Sequence, residues 1–222
     1  MPSNTFFRLE KEKQDKILEA SKKEFSKFPL EEASIANIVK EAGIPRGSFY
    51  QYFTGKEDVF FYLFEEARRN LEDSFISYLE KTNGDLFETF KLFFYDFSKE
   101  VLEGENKDFF RHTFLHMNYT RSNQMMVSEM SEEERQRHLN HRKHHHQDRD
   151  RYEKIMSSIN KEKLNVKNER EFKMLFHQLW SMLFHTINEA YRMRHVSGSI
   201  DYKQLASDFY LKLTWLQFGV TK

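Results

Sequence analysis

The sequence predicts an all-α protein of about nine helices, a small three-helix amino-terminal domain followed by a larger helical one. Seven glycines and three prolines are few for 222 residues, and sheet-rich folds consume both in tight turns. Apolar residues recur at steps of three and four along most of the chain, with no convincing alternating stretch. Helix start and stop residues punctuate that pattern at plausible lengths.

Along residues 9–28, Ile17, Leu18, Ala20, Ser21, Phe25 and Phe28 form one face, with Lys11, Lys13, Lys16, Lys22 and Lys23 on the wet side. Pro29 ends that helix. The Ser34 hydroxyl is placed to cap a second helix running to Ala42, and Gly43 suits a left-handed stop. Pro45 then stands where the first turn of a third helix begins. From Lys56 a longer helix carries Val59, Phe60, Leu63, Phe64, Ala67, Leu71, Phe75 and Leu79, broken by Asn83 and Gly84. Further helices are predicted over 86–102, 108–117, 132–159 (with an interruption near 143–148), 169–194 and 201–218. Residues 118–131 are less regular, and the domain boundary is expected between 58 and 59, giving domains 1–58 and 59–222.

Composition excludes several chemistries. There is no cysteine, so disulfides, thiolate metal sites and cysteine nucleophiles are absent, as suits a reducing cytoplasm. Neither a Gly-rich phosphate loop nor a Gly-x-Ser-x-Gly or His-Glu-x-x-His pattern occurs, and the chain is read as a non-enzyme without a cofactor. No signal-like start and no apolar run of membrane-spanning length is present, so a cytoplasmic protein with no membrane partner is expected. Lys plus Arg and Asp plus Glu balance at 35 each, and within residues 1–58 they balance again at ten each. A surface for nucleic acid therefore has to arise from charge segregation rather than bulk basicity.

The segment from Ile38 to Val59 carries the functional signal. A positioning helix, a tight turn and a second helix whose first residues enter the major groove make a helix-turn-helix. Ile38 and Val39 provide a buried face, Gly43 the turn, and Phe49 and Phe53 the anchor of the second helix. Arg46, Ser48, Gln51 and Tyr52 are then expected to face outward, and Gly47 allows close backbone approach. Tyr50, Tyr52 and Lys56 suit phosphates, whereas Arg46 and Gln51 suit guanine and adenine edges.

At these residues the chain resembles the tetracycline-repressor (TetR) family of transcriptional regulators. Their recognition segment typically runs Gly-Val-Ser-Lys-Gly-Thr-Leu-Tyr-His-Tyr/His-Phe, followed after a short turn by Lys-Glu-Glu-Leu. Here it runs Gly43-Ile-Pro-Arg-Gly-Ser-Phe-Tyr-Gln-Tyr-Phe53, followed by Lys56-Glu-Asp-Val59, and Ile38-Val-Lys-Glu-Ala-Gly43 matches the segment upstream. Ser34 stands where the family often has a phosphate-contacting Thr; Pro45 and Gln51 depart from the usual Ser and His. The resemblance covers roughly residues 9–65. It implies a homodimer binding double-stranded operator DNA through Ser34, Pro45, Arg46, Gly47, Ser48, Tyr50, Gln51, Tyr52 and Lys56. It also implies a carboxy-terminal effector-binding and dimerisation domain, and so a repressor released by a small ligand. A helical sensor or scaffold without specific DNA binding is the competing reading, kept open by the neutral amino-terminal region.

Candidate dimer residues lie on the last two helices: Leu175, Leu179, Leu183, Phe184, Ile187, Phe209, Leu213 and Leu216. Candidate pocket residues are Phe90, Phe94, Phe110, His112, Phe114, His116, His177 and Trp180, which would suit a hydrophobic effector or else form solid core. His112 and His116 have a spacing that also admits a metal or haem. The cluster His138, His141, His144, His145 and His146 reads as a solvated face or loop.

Overall fold

The computed structural model describes residues 2–116 and 146–221, and the backbone alone at 115–116, 146–149 and 195–197. The described residues form ten α-helices and no strand: α1 (Asn4–Phe7), α2 (Lys11–Lys27), α3 (Ile35–Ala42), α4 (Arg46–Tyr52), α5 (Lys56–Lys81), α6 (Leu86–Glu103), α7 (Lys107–His116), α8 (His146–Ser158), α9 (Glu169–Ser197) and α10 (Tyr202–Phe218). A single 3-10 turn, Lys161–Lys163, links α8 to α9. The all-α expectation holds, and the helix ends follow the predicted punctuation. Gly43 closes α3 at φ 66°, and Gly84 follows α5 at φ 74°. The helix expected over 132–159 is described only in its later part, as α8. Helix α1 was not anticipated.

The chain divides into two compact units. One comprises residues 2–70 with 103–116, and the other residues 71–102 with 146–221. The first unit is thus built from two stretches of chain. Helix α7 packs on α2, and the Phe109 ring meets Phe60 at 5.6 Å, so the amino-terminal unit extends beyond the stretch 1–58. Its core holds Phe6, Ile17, Phe25, Ile38, Phe49, Phe53, Val59 and Phe60, all nearly inaccessible to water. One acidic side chain sits inside it. Glu24, 6 % exposed, accepts from the Ser34 amide at 2.8 Å and from the Asn37 side chain at 3.0 Å, which joins α2 to the start of α3. A buried carboxylate is tolerated only when its oxygens are paired in this way.

The second unit has an aromatic centre. Phe75 of α5 and Phe90 and Phe93 of α6 surround Trp180 of α9 at centroid distances of 5.0, 5.3 and 5.9 Å. Mostly tilted and edge-to-face pairs of this kind add modestly to the area they bury. Phe94 stacks on Phe209 of α10 at 3.8 Å. The end of α6 is held from α9: the Tyr191 hydroxyl donates to the Val101 carbonyl at 2.7 Å, and Arg194 donates to that of Leu102 at 2.7 Å. Helix α8 and the turn after it are tied by charge. Arg151 forks onto Asp73 at 3.0 and 3.1 Å, and Lys163 reaches Asp85 at 3.0 Å.

Candidate nucleic-acid interface and effector core

Helices α3 and α4 meet through a turn that the sequence specifies closely. Gly43 takes the left-handed conformation, and the Ile44 amide bonds back to the Val39 carbonyl at 3.0 Å, closing α3. Pro45, extended at ψ 143°, is the residue before α4 rather than the first within it. Ile38 and Val39 are buried as expected, and Phe49 and Phe53 anchor α4 with 0 % and 2 % of their surface exposed. What remains outward on α4 is Arg46, Gly47, Tyr50 and Gln51, with Ser48 half-buried. The Arg46 guanidinium lies 3.5 Å from the Tyr50 hydroxyl, so the two sit side by side one helical turn apart. Helix α4 carries one cation and no carboxylate. Elsewhere in the unit opposite charges pair off, as Lys11 with Asp15, Lys16 with Glu12 and Lys23 with Glu41. Overall neutrality therefore hides a local segregation.

Three candidate DNA residues do not sit as expected. Tyr52 is 5 % exposed rather than facing outward, because Phe6 of the unanticipated α1 packs against it at 6.3 Å. Ser34 occupies the cap position of α3, but its hydroxyl makes no capping bond; its amide is engaged by Glu24 instead. Lys56 is half-buried, and its ammonium donates to the carbonyls of Glu31 at 2.7 Å and Ala33 at 3.0 Å. That leaves one of three protons for anything else.

Gly47 has a different character. A Cβ built there would meet nothing within 4 Å, and its φ is not positive. Neither crowding nor backbone conformation within the chain calls for glycine, which in a helix costs up to about 1 kcal/mol against alanine.

The candidate pocket residues do not form one group. Phe110, His112 and Phe114 lie on α7 in the first unit, whereas Phe90, Phe94, His177 and Trp180 belong to the second. Phe90 and Phe94 are wholly buried in aromatic packing, and Trp180 is half-buried. Burial and the neighbouring Lys173 hold the His177 imidazole below its ordinary value, which keeps it neutral near pH 7. His185 of α9 is exposed beside Glu189 at 3.4 Å. The His116 side chain and the cluster His138, His141, His144, His145 and His146 lie outside the described side chains.

The candidate dimer residues also divide. Leu179, Leu183, Ile187, Phe209 and Leu213 are buried within the chain itself; α9 and α10 pack on each other, and Phe209 stacks on Phe94 of α6. Leu175 and Phe184 are half-buried, and Leu216 is 39 % exposed. Among the exposed apolar side chains of α10, Leu211, Trp215 and Phe218 share one face by their spacing of four and three. That spacing was legible in the sequence. Glu24 was legible too: it falls seven residues after Ile17, on the apolar face of α2.

Residues 85–220 match the family described as tetracyclin repressor-like, C-terminal domain, and residues 17–63 match the bacterial regulatory proteins of the tetR family. No curated protein matches the chain in sequence. Among solved structures, the fatty acid degradation regulator FadR from Bacillus halodurans is similar at a TM-score of 0.58 and 18% identity, over 93% of this chain and 99% of that one. The transcriptional regulator FadR from Bacillus subtilis, in complex with stearoyl-CoA, is similar at 0.56 and 20% identity, with the same coverage. At such identities the likeness concerns the fold. Matched along both of its parts, the chain belongs to the TetR family of bacterial transcriptional regulators.

Proposed function

We propose that the protein is a homodimeric repressor that binds double-stranded operator DNA through α3 and α4 and is released by a small hydrophobic ligand. The observation that carries the DNA reading is the outer face of α4. Arg46, Tyr50 and Gln51 project from it around Gly47, whose Cα lies in open space. In this reading Arg46 and Gln51 meet base edges, while Tyr50, Ser48 and the backbone at Pro45 and Gly47 lie along phosphates. Ser34 sits at the α3 terminus, where a phosphate is favoured. Tyr52 and Lys56 act from behind, by holding the helix and its supporting loop.

The exposed stripe of Leu211, Trp215 and Phe218 supports pairing with a second copy across a two-fold axis. Two recognition helices then reach half-sites about one helical turn of DNA apart. The aromatic centre around Trp180, together with the stearoyl-CoA held by the Bacillus subtilis regulator, supports a hydrophobic effector. Such a ligand acts by preferring the form whose recognition helices no longer match the half-site spacing, and it lowers DNA affinity by that preference.

A mobility-shift titration against DNA flanking the gene, repeated on a random-sequence library at low salt, tests the proposal. A specific complex lost in the Arg46→Ala/Tyr50→Ala variant, with helical content intact, supports it. Failure of the unaltered protein to select any sequence from the library overturns it.

A further inference from the structure

Residues 3–7 hold the recognition helix in a way that its outer face alone does not require. Helix α4 is seven residues long, well below the length at which a helix is stable by itself in water. Its last carbonyls have no partner within the helix. Two of them are met from Ser3: its amide donates to the Tyr52 carbonyl at 2.8 Å, and its hydroxyl donates to the Gln51 carbonyl at 2.7 Å. The same serine opens α1, which delivers Phe6 into the core. Phe6 is 0 % exposed and meets Tyr52 at 6.3 Å, Phe53 at 5.0 Å and Tyr62 of α5 at 6.1 Å. The backbone that Ser3 grips is therefore that of Gln51, a base-reading candidate, and of its neighbour.

We propose that Ser3 and Phe6 are positioning residues for operator recognition, fixing the carboxy-terminal end of α4 so that Arg46 and Gln51 meet the bases in one pose. This rests on the DNA-binding reading above. Attraction to phosphates tolerates a loosely held helix, but a two-point contact to a base edge requires a site held to within about 0.5 Å. Loosening the tie therefore costs operator discrimination more than general DNA affinity.

The test uses the full chain. An operator is selected from a random-sequence DNA library with the unaltered protein. Affinities for that operator and for unrelated DNA are then measured for the unaltered protein, Ser3→Ala, Ser3→Thr and Phe6→Leu. Loss of the hydroxyl's bond to the Gln51 carbonyl, with its weaker cap of the Phe6 amide, should weaken operator binding about threefold to tenfold in Ser3→Ala. Binding to unrelated DNA and its salt dependence should stay unchanged, and Ser3→Thr should restore the ratio. Amide exchange at Phe53 should quicken in Ser3→Ala and Phe6→Leu while amides within α2 keep their rates. An unchanged ratio of operator to unrelated affinity in both Ser3→Ala and Phe6→Leu overturns the positioning role alone. An unaltered protein that selects no operator overturns the DNA-binding reading and this one with it.

Discussion

The ammonium of Lys56, at the first residue of α5, donates to the carbonyl oxygen of Ala33 at 3.0 Å. A second proton goes to the Glu31 carbonyl at 2.7 Å, so the side chain pins the loop between α2 and α3 against the start of α5. Replacing it with Met should destabilise the amino-terminal unit by about 1–2 kcal/mol, because charge-assisted bonds to carbonyls are lost. The salt dependence of DNA binding separates this role from a phosphate contact. Each phosphate neutralised contributes about 0.9 to the slope of log affinity against log salt. In Lys56→Met the slope should not change; a drop of one contact's worth, with stability intact, would make Lys56 a phosphate ligand instead.

Gly47 offers a test in which stability and function move in opposite directions. With nothing within 4 Å of a Cβ at that position, Gly47→Ala should leave the thermal midpoint equal or higher. Operator binding should weaken by about tenfold or more if the DNA backbone approaches this Cα as closely as a glycine allows. Full affinity in a stably folded Gly47→Ala would remove the close-approach argument.

Gly84 is a glycine of the opposite kind. Its φ is 74°, and a Cβ would lie 2.4 Å from the Ser158 carbonyl oxygen and 2.7 Å from the Asn160 amide. Both are backbone atoms, and the Asn160 amide already donates to the Gly84 carbonyl at 2.9 Å. Left-handed conformation alone costs a side-chain-bearing residue about 1–2 kcal/mol, and the clash adds to it. Gly84→Ala should lower the stability of the second unit by about 2–4 kcal/mol in denaturant titration.

Asp85 confers acid sensitivity on that same corner. Burial pushes its carboxyl up, but the Glu88 amide, the Lys163 ammonium and the Phe87 amide outweigh it and hold the group below the usual carboxylate value. A carboxyl lowered by folding contributes stability that is complete above its unfolded value and is lost as pH falls through its folded value. The stability difference between the unaltered protein and Asp85→Asn should therefore be present at pH 7 and shrink below about pH 4. A difference that is constant from pH 7 to pH 3 would show that the charge is not what matters.

The inner and outer faces of the last two helices should respond differently. Leu179, fully buried within the chain, should cost about 2–5 kcal/mol of stability on truncation to Ala. On the proposed pairing through α10, Trp215→Glu on the exposed stripe should leave helical content intact and halve the mass seen in sedimentation. A Trp215→Glu protein that stays dimeric would move the interface away from α10.

Much of this molecule can be read from residue order, and for a clear reason. Helix periodicity, a Gly at a left-handed stop and a Pro before a helix are local properties, each requiring only neighbours three or four residues away. Hence α2 to α7 appear where Pro29, Ser34, Gly43 and Asn83–Gly84 put them, and Phe49 and Phe53 emerge as anchors. Periodicity tells which residues share a face, but not what that face meets. Leu179, Leu183 and Ile187 share an apolar face that fits a dimer as well as a core; packing within the chain buries it completely.

Residue order alone thus determined helices α2 to α7, though not α1, together with their ends and the family-specific turn, since these depend on short-range sterics and hydrogen bonding. Tertiary packing decided which of the expected residues actually face outward. Tyr52 turned inward because Phe6, distant in sequence, supplied its partner, and Lys56 was claimed by two carbonyls from a loop more than twenty residues earlier. Contacts of that range depend on how separate helices come together in space, and no local pattern encodes them.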